Sequence, residues 1–400
     1  MEQDRENGGV FDAIKNKNKK DIFDLLLYNE TISKNEIAKA TKLSMQTVNR
    51  IVGEFENDNL IVSVGYGEST GGRKPVLYKI NELDFAFVGV CVTDKIRIII
   101  NDFSGNILYQ CKNQLDFDCG ANLVLEQISR NVDMAVAQSG VEENGRKVLG
   151  VGIGLPGTGF KLTRFVQKQN YLPWAGINEE DIYEMYHSKY PTTFENIARL
   201  GAMSEIHYGI GSRFDDFLYI YADEGIGMGV VKDGRLFRGS HGVAGEIGHI
   251  CVDYNGPYCY CGRRGCVETY CSQDAMVKEY NKHLYNSNFD VRQLEKFDDF
   301  VECAEKGDEI ALDVCRNVGK ILGLAVGNII NIWNPSVIIF GGGSATSLPI
   351  FTEAAIETAK LQIFRNRANE VEFIRTDIVR NFEARGAVSL AIEKYLKDYC

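Results

Sequence analysis

A strand-rich α/β pattern occurs twice along this chain, and this recurrence constrains the fold more than any other feature of the sequence. The first copy contains three strand-like runs, a helical stretch and a buried strand: FAFVGVCV, KIRIIIND, ILYQCKNQL, residues 121–138 and KVLGVGIGLPG. The second copy contains DFLYIYA, GIGMGVV, RLFRG, a long helical stretch over residues 311–332, and SVIIFGGG. Two such units in tandem predict two lobes with a cleft between them, and ligands favour clefts of this kind.

Composition narrows the class of protein. The chain has 400 residues, of which 44% are hydrophobic, so it can form more than one core. The stretch MEQDRENGGVFDAIKNKNKK is charged, and no run approaches the ~20 apolar residues that span a bilayer, which predicts a cytoplasmic protein with no membrane partner. The eleven cysteines are an odd number without an export signal, so most are predicted to be reduced thiols.

The charge is distributed unevenly. The whole chain has a net charge of -11, whereas residues 1–80 hold equal numbers of basic and acidic side chains. Because the acidic remainder repels nucleic acid, any contact with DNA is expected to come from this neutral N-terminal part.

Residues 1–80 show the pattern of a winged helix-turn-helix. After a first helical stretch, Ser33 and Glu36 have the spacing of a capping box, which predicts the start of a second helix. Ser44 is predicted to cap a third helix. The apolar stripe of that helix consists of Val48, Ile51, Val52 and Phe55. Two alternating runs around GYGESTGGRKP then predict a wing.

The third helix of this pattern places hydrogen-bonding side chains where a recognition helix meets base edges. The predicted DNA contacts are Ser44, Gln46, Thr47, Asn49, Arg50 and, at the wing, Arg73 and Lys74. Double-stranded operator DNA is therefore the predicted partner of this part of the chain. A small helical interaction module with a solvated polar face would show the same periodicity, although the basic wing residues favour DNA.

The stretch CYCGRRGCVE, with a histidine ten residues before its first cysteine, has the composition of a metal site. The candidate ligands are His249, Cys259, Cys261 and Cys266. One imidazole and three thiolates are ligands that Zn²⁺ prefers, and four protein ligands leave no open coordination position, which predicts a structural zinc. A disulfide is an alternative, but Cys259 and Cys261 are too close in sequence to pair comfortably.

Several segments together resemble the ROK family of repressors, open reading frames and sugar kinases: GVGIGLPG, LPW at 172–174, ENIARLGA, DEGIGMGVV, HGVAGEIGH and CYCGRRGCVE. The resemblance covers nearly the whole chain, and the N-terminal part is similar to that of the xylose-repressor branch. It implies an α/β fold in which a winged helix-turn-helix precedes a two-lobed, actin-like or RNase H-like body. The implied domains are 1–82, 83–195 with a C-terminal helix at 384–400 packing back on it, and 196–383.

The resemblance also implies a sugar pocket beside the zinc loop. The matching positions are Asn196, Glu246, His249 and Glu268. Amide and carboxylate groups at converging positions can bind vicinal hydroxyls, and His249 would bind zinc through one ring nitrogen and a hydroxyl through the other. Taken alone, Glu246 and Glu268 fit solvated surface carboxylates equally well, and Asn196 fits a turn residue.

Two features of the family's kinases are missing from this chain. Where the kinases have an Asp that takes the proton from the sugar hydroxyl, this sequence has Ile197, and Arg199 stands at a following Asn position. The Asp-x-Gly-Gly-Thr phosphate turn is replaced by VGVCVTDKI, with Cys91 at the Asp position. Glu224 adds negative charge to the second-lobe turn, although FGGGS at 340–344 still resembles the nucleotide-facing glycine turn. The chain is thus predicted not to be an enzyme.

Together these features predict a sugar-responsive transcriptional regulator, a repressor of carbohydrate-utilisation genes such as those of xylose metabolism. A homodimer or homotetramer is expected, because one short recognition helix buries too little surface to be specific alone. The sugar would shift a population of lobe arrangements and so move the DNA-binding units relative to the operator. Two alternatives stay open: an active ROK sugar kinase with an accessory DNA-binding unit, and a regulator controlled by a protein partner.

Overall fold

The computed structural model describes residues 17–27, 29–68, 74–157, 179–286, 293–364, 370–376 and 382–399. Within these ranges the chain forms a three-stranded sheet near its N-terminus and two five-stranded sheets in the body. The α/β class predicted from the sequence is confirmed, with a winged helix-turn-helix ahead of a two-lobed body.

The N-terminal unit combines helices with a small antiparallel sheet. Its elements are α1 (17–27), β1 (Ile32–Ser33), α2 (Lys34–Thr41), α3 (Met45–Asn57), β2 (Ile61–Tyr66) and β3 (Val76–Ile80). The strand order is β1-β3-β2, and both pairs are antiparallel. The sequence pattern does not predict β1, because two residues are too few to show an alternation.

The helix starts in this unit agree with the capping predictions. The Ser33 hydroxyl accepts from the Glu36 backbone N–H at 3.3 Å, and the Glu36 carboxylate accepts from the Ser33 backbone N–H at 2.8 Å. The Ser44 hydroxyl accepts from the Thr47 backbone N–H at 3.2 Å. The predicted apolar stripe of α3 is buried at all four positions: Val48, Ile51, Val52 and Phe55.

The first lobe is built on a mixed sheet. Its elements are β4 (Phe85–Val92), β5 (Lys95–Asn101), β6 (Ile107–Gln114), α4 (Ala121–Ser139), β7 (Lys147–Leu155), α5 (Glu179–Met185) and β8 (Thr192–Asn196). The strand order is β6-β5-β4-β7-β8. The pairs β6–β5 and β5–β4 are antiparallel, and the pairs β4–β7 and β7–β8 are parallel.

The second lobe repeats this topology. Its elements are α6 (Ile197–Tyr208), β9 (Phe217–Ala222), β10 (Ile226–Lys232), β11 (Arg235–Leu236), α7 (Glu268–Cys271), α8 (Gln273–Asn286), α9 (Phe297–Glu305), α10 (Glu309–Trp333), β12 (Val337–Gly341), α11 (Gly343–Ser347), α12 (Pro349–Gln362) and β13 (Glu372–Arg375). The order β11-β10-β9-β12-β13 again has an antiparallel half and a parallel half. The recurrence read from the sequence is therefore a repeated sheet topology. None of the described helices is long and apolar enough to cross a bilayer, α10 included.

Two helices connect the lobes. Helix α13 (Phe382–Tyr399) packs on β4 and β7 of the first lobe, α6 packs on β9 and β10 of the second, and α6 and α13 contact each other. Their contact is close at Gly386, where an added Cβ would lie 1.9 Å from the Leu200 carbonyl oxygen. Movement of one lobe against the other must therefore change the packing between α6 and α13.

The N-terminal unit shares an apolar core with the first lobe and with α13. The core contains Phe55 of α3, Phe103 of the β5–β6 turn and Leu396 of α13. The ring of Phe103 lies 5.4 Å from that of Phe23 in α1, and the ring of Tyr399 lies 6.0 Å from that of Phe55. Because aromatic rings bury large apolar areas, this continuous core ties the N-terminal unit to the body.

Candidate functional site

A cleft opens between the lobes and is lined by residues of both. The first lobe contributes Thr93 from the β4–β5 turn and Asn196 from the end of β8. The second lobe contributes Glu246, His249 and Glu268. The four positions matched to a sugar pocket thus line one cavity, and their contacts with a ligand stay a prediction.

The Asn196 side chain begins helix α6. Its Oδ1 accepts from the backbone N–H of Ala198 at 2.9 Å and of Arg199 at 3.4 Å, and its Nδ2 donates to the Gly157 carbonyl. These hydrogen bonds use both lone pairs of Oδ1 and one of the two amide hydrogens. A ligand can therefore accept a hydrogen bond only from the second amide hydrogen. Asn196 therefore orients the start of α6 towards the cleft.

An ion network forms one wall of the cleft, and sequence reasoning missed it. Arg199, which is 3% exposed, lies 3.0 Å from the Glu195 carboxylate and 3.8 Å from that of Glu246. Its guanidinium also donates to the carbonyls of Gly242 and Ala244. Burial raises the pKa of Glu246 to about 7, and the neighbouring Arg199 opposes that rise. Because Glu195 and the two carbonyls fix the Arg199 guanidinium, it places a fixed positive charge beside the Glu246 carboxylate.

Glu268 is held by the first residue of β10. Its Oε2 accepts from the Ile226 backbone N–H at 3.0 Å. An added Cβ at Gly225 would lie 2.9 Å from the same oxygen, so the glycine permits this close approach. The Glu268 carboxylate also interacts with the Tyr260 side chain, and it lines the cleft.

The four predicted metal ligands lie together beside the cleft. Their ligand atoms, from His249, Cys259, Cys261 and Cys266, all lie within 4.8 Å of one another. Cys261 Sγ is 3.6 Å from Cys266 Sγ, and Cys259 Sγ is 3.6 Å from His249 Nδ1. Two sulfurs bound about 2.3 Å from one tetrahedral ion lie about 3.8 Å apart, so these residues fit Zn²⁺. All three cysteines are free thiols.

Two glycines shape the loop that carries these ligands. Gly262 has a φ of +86° and Gly265 a φ of +63°, which are conformations that favour glycine. An added Cβ at Gly265 would lie 1.6 Å from the Asp253 carbonyl oxygen. The backbone N–H of Cys259 donates a hydrogen bond to the Arg263 carbonyl at 2.8 Å, which closes the loop. The three sulfurs are thus brought to one side of a tight turn.

Tyr260 is a further cleft residue that sequence reasoning missed. Its hydroxyl lies 3.1 Å from His249 Nε2, and the two rings meet edge to face with centroids 5.2 Å apart. The Nδ1 atom of His249 faces the thiols, so Nε2, which was expected to meet a sugar hydroxyl, meets the Tyr260 hydroxyl in this structure. The sequence signal that could have identified Tyr260 is its position, because a residue between Cys259 and Cys261 must lie beside the predicted metal ligands.

The family model described as ROK family matches residues 89–394. The chain belongs to the ROK family. A second model, winged helix-turn-helix DNA-binding, matches residues 15–62. The resemblance read from the sequence motifs is confirmed by these two matches.

Known ROK proteins similar to this chain include regulators and kinases. The xylose repressor of Bacillus spizizenii is 28% identical over 389 residues, covering 96% of this chain and 97% of the repressor. A crystal structure of a ROK family transcriptional regulator, a homolog of the E. coli MLC protein, has a TM-score of 0.78 at 25% identity and covers 96% of this chain and 97% of that one. A ROK family glucokinase from Streptomyces griseus, in complex with glucose and AMPPNP, has a TM-score of 0.65 at 25% identity, covering 77% and 99%.

Two residues that were matched to kinase positions by resemblance, Ile197 and Cys91, are both buried. Ile197, which is 3% exposed, lines the cleft with an apolar side chain. Cys91 is buried in β4, and burial raises the pKa of its thiol well above the usual range. The glycine turn after β12 is retained, and the Gly343 backbone N–H donates to the Asp223 carboxylate at 3.0 Å.

The predicted DNA-contacting residues lie mainly on one side of α3. Gln46, Asn49 and Arg50 are exposed, whereas Thr47 is partly buried. Arg50 pairs with Glu54 one turn later on the same helix. Ser44 is exposed and serves as the N-cap, and Lys74 is exposed. Arg73 and the LPW segment at 172–174 lie outside the described residues.

Proposed function

We propose that this chain is a sugar-responsive transcriptional repressor whose kinase-like body senses a sugar and has lost catalysis. The observation that carries the proposal is a winged helix-turn-helix packed on a two-lobed body whose cleft gathers carboxylates around Ile197. An isoleucine side chain cannot accept a proton, so the general base of phosphoryl transfer is missing from that position. The domain division at 82/83 and 195/196 belongs to the same proposal.

The sugar would bind through hydroxyl groups to the carboxylates of the cleft. Glu246 and Glu268 approach from the second lobe, and the remaining amide hydrogen of Asn196 faces the same cavity. Carboxylate oxygens accept hydrogen bonds from vicinal hydroxyls, and bonds to an ionised acceptor are the stronger ones. The three side chains come from the end of β8, from a loop and from the start of α7, so a bound sugar would link the start of α6 to the Glu268 contact with β10.

A bound zinc ion would stabilise this side of the cleft. His249, Cys259, Cys261 and Cys266 would hold it, and four protein ligands give it a structural role. Cys266 lies two residues before Glu268, and Tyr260 lies between two of the ligands. The positions of the Glu268 and Tyr260 side chains in the cleft would therefore depend on a well-ordered metal loop.

The helix pair α6 and α13 supplies a physical route from the cleft to the DNA-binding unit. Asn196 caps α6 at the cleft, α6 contacts α13 closely at Gly386, and the Tyr399 hydroxyl near the end of α13 donates to Asp58 after α3. A shift of α6 on sugar binding would therefore reach the unit that carries the recognition helix. Two copies acting as a homodimer would convert this shift into a change of spacing between operator half-sites.

Binding of the full-length protein to DNA from its own upstream region, with and without a panel of pentoses and hexoses, tests this function. We expect tight binding without sugar and weaker binding with one member of the panel. Absence of DNA binding under all conditions would refute the regulator. A coupled assay with Mg-ATP and the same sugars should show no turnover, and robust phosphorylation would instead support the kinase alternative.

Replacing Gln46 with alanine should weaken binding to the specific operator by about 1–3 kcal/mol, because an amide that reads a base edge loses a bidentate contact. Fluorescence anisotropy at fixed salt, with operator and unrelated duplexes, measures the change. Asn57→Ala is the matched control, since Asn57 is an exposed amide at the other end of α3. Equal losses on both duplexes would remove Gln46 from base recognition.

A further inference from the structure

The two lobes are joined at the rim of the cleft by a hydrogen bond between equivalent turns. The backbone N–H of Asp94, in the β4–β5 turn, donates to Glu224 Oε1 at 3.0 Å. Glu224 lies in the β9–β10 turn, which has the same place in the second sheet as the β4–β5 turn has in the first. The contact therefore spans the cleft between corresponding points of the repeated topology.

The turn that carries Glu224 is anchored within the second lobe. The carboxylate of the preceding residue, Asp223, accepts from the Gly343 backbone N–H at 3.0 Å and from the Tyr221 hydroxyl at 3.2 Å. The Gln273 side chain also donates to Asp223, and the Asp223 backbone N–H donates to the Gly225 carbonyl at 3.0 Å. Glu224 is thus presented from a fixed position.

On the first lobe, basic side chains hold the Asp94 carboxylate. Lys95 lies 3.0 Å from it and Arg97 lies 3.7 Å from it. The Thr93 hydroxyl donates to the same carboxylate at 3.0 Å. These partners offset the negative charge of the Asp94 carboxylate. The repulsion that Glu224 meets as it approaches the Asp94 backbone N–H is therefore reduced.

Beneath the rim, the lobes also share an apolar core. It includes Cys91 and Ile99 of the first sheet together with Tyr219 and Ile339 of the second. Apolar contact is non-directional, whereas a hydrogen bond weakens steeply with misalignment. The rim contact is therefore more sensitive to the lobe arrangement than the apolar contacts beneath it.

The same turn reaches the residues of the cleft. Thr93, Glu224 and Gly225 line the cavity together with Glu268. Gly225 packs against the Glu268 carboxylate, which is itself bonded to the Ile226 backbone N–H at 3.0 Å. A ligand that moves Glu268 would therefore move the turn that presents Glu224.

We propose that Glu224 is a clasp that holds the two lobes in the arrangement described here through its bond to the Asp94 backbone N–H. The clasp uses a carboxylate of the chain itself to bridge the cleft at the turns where the family's kinases are expected to meet phosphate. Its place on the cavity rim makes it a positioning residue for the sugar response. That regulatory meaning rests on the proposed function, whereas the contact itself does not.

Residue-resolved hydrogen–deuterium exchange on the full-length, sugar-free protein tests the clasp. In Glu224→Ala we expect the Asp94 amide to exchange about tenfold faster than in the wild type, because its acceptor is lost. Glu224→Gln, which keeps a carbonyl acceptor, should restore much of the protection. Small-angle X-ray scattering should give a larger radius of gyration for Glu224→Ala than for the wild type and Glu224→Gln.

Internal controls separate a local effect from general unfolding. The Thr93 amide bonds to the Lys95 carbonyl at 2.9 Å within the first lobe, and the Gly343 amide bonds to Asp223 within the second, so both should keep their exchange rates. Unchanged exchange at Asp94 in Glu224→Ala would overturn the clasp, as would faster exchange without a change in radius of gyration. Failure of the wild type to bind DNA would refute the proposed function and leave these results standing.

Discussion

Replacing Cys261 with serine is expected to remove the metal from this protein and to abolish its response to sugar. A serine hydroxyl is a poor substitute for a thiolate, and the remaining ligands would be His249, Cys259 and Cys266. Structural zinc in small metal-binding domains contributes on the order of 10–16 kcal/mol of binding free energy, so losing one ligand should lower metal affinity by several orders of magnitude.

The loss should spread from the metal loop into the cleft. Tyr260 is held between two of the ligands, and Glu268 follows Cys266 by two residues, so both lose their ordered support. Elemental analysis of the purified protein measures zinc per chain, and the shift in melting temperature with millimolar sugar measures binding. The stabilisation free energy that produces this shift is RT ln(1 + [L]/Kd).

Cys251→Ser is the matched control for this experiment. Cys251 is exposed and forms a β-bridge to Cys266, so it lies next to the metal loop without belonging to the cluster. We expect this variant to keep one zinc per chain and its sugar response. If Cys261→Ser kept both, the metal loop would be dispensable for sensing.

Replacing Gly386 with alanine should destabilise the protein by about 2 kcal/mol or more and uncouple the cleft from DNA binding. The new Cβ would lie 1.9 Å from the Leu200 carbonyl oxygen, and a backbone atom cannot rotate away as a flexible side chain can. Helices α6 and α13 would therefore have to separate. Chemical denaturation measures the free energy of unfolding, and operator binding with and without sugar measures the coupling.

Gly53→Ala is the control for a glycine-to-alanine change inside a helix. No atom lies within 4 Å of the position that its Cβ would take, so the change should stabilise α3 by up to about 1 kcal/mol. An equally stable Gly386→Ala protein with an intact sugar response would show that the contact between α6 and α13 is not needed for signalling.

The features that sequence reasoning predicted correctly depend on residues close together in the chain. The capping box consists of Ser33 and Glu36, three residues apart, and the apolar stripe of α3 repeats at helical spacing. Both patterns are local, so the sequence was enough to predict them. The metal cluster is similar, because three of its ligands lie within eight residues and glycine allows the turn between them. The duplicated strand pattern predicted four of the five strands of each large sheet for the same reason, whereas β8 and β13 were not predicted.

The residues that sequence reasoning missed act through partners far away in the chain. Arg199 joins Glu246, the bridge from Asp94 to Glu224 spans 130 residues, and Tyr399 meets Asp58 across 341. No period or motif relates such residues, because the packing of α6, α13 and the two sheets decides which side chains meet. Asn196 differs from these residues, because it caps α6 through the neighbouring backbone N–H groups of Ala198 and Arg199.

The sequence by itself determined the two-lobed α/β body, the winged helix-turn-helix ahead of it, the family and the make-up of the metal cluster, because each is written in local spacing and residue type. Only the tertiary structure decided that the Tyr260 hydroxyl faces His249, that Glu224 bridges the lobes and that α13 packs against both α6 and the N-terminal unit. These contacts arise when the folded sheets and helices bring distant segments within hydrogen-bonding or van der Waals distance.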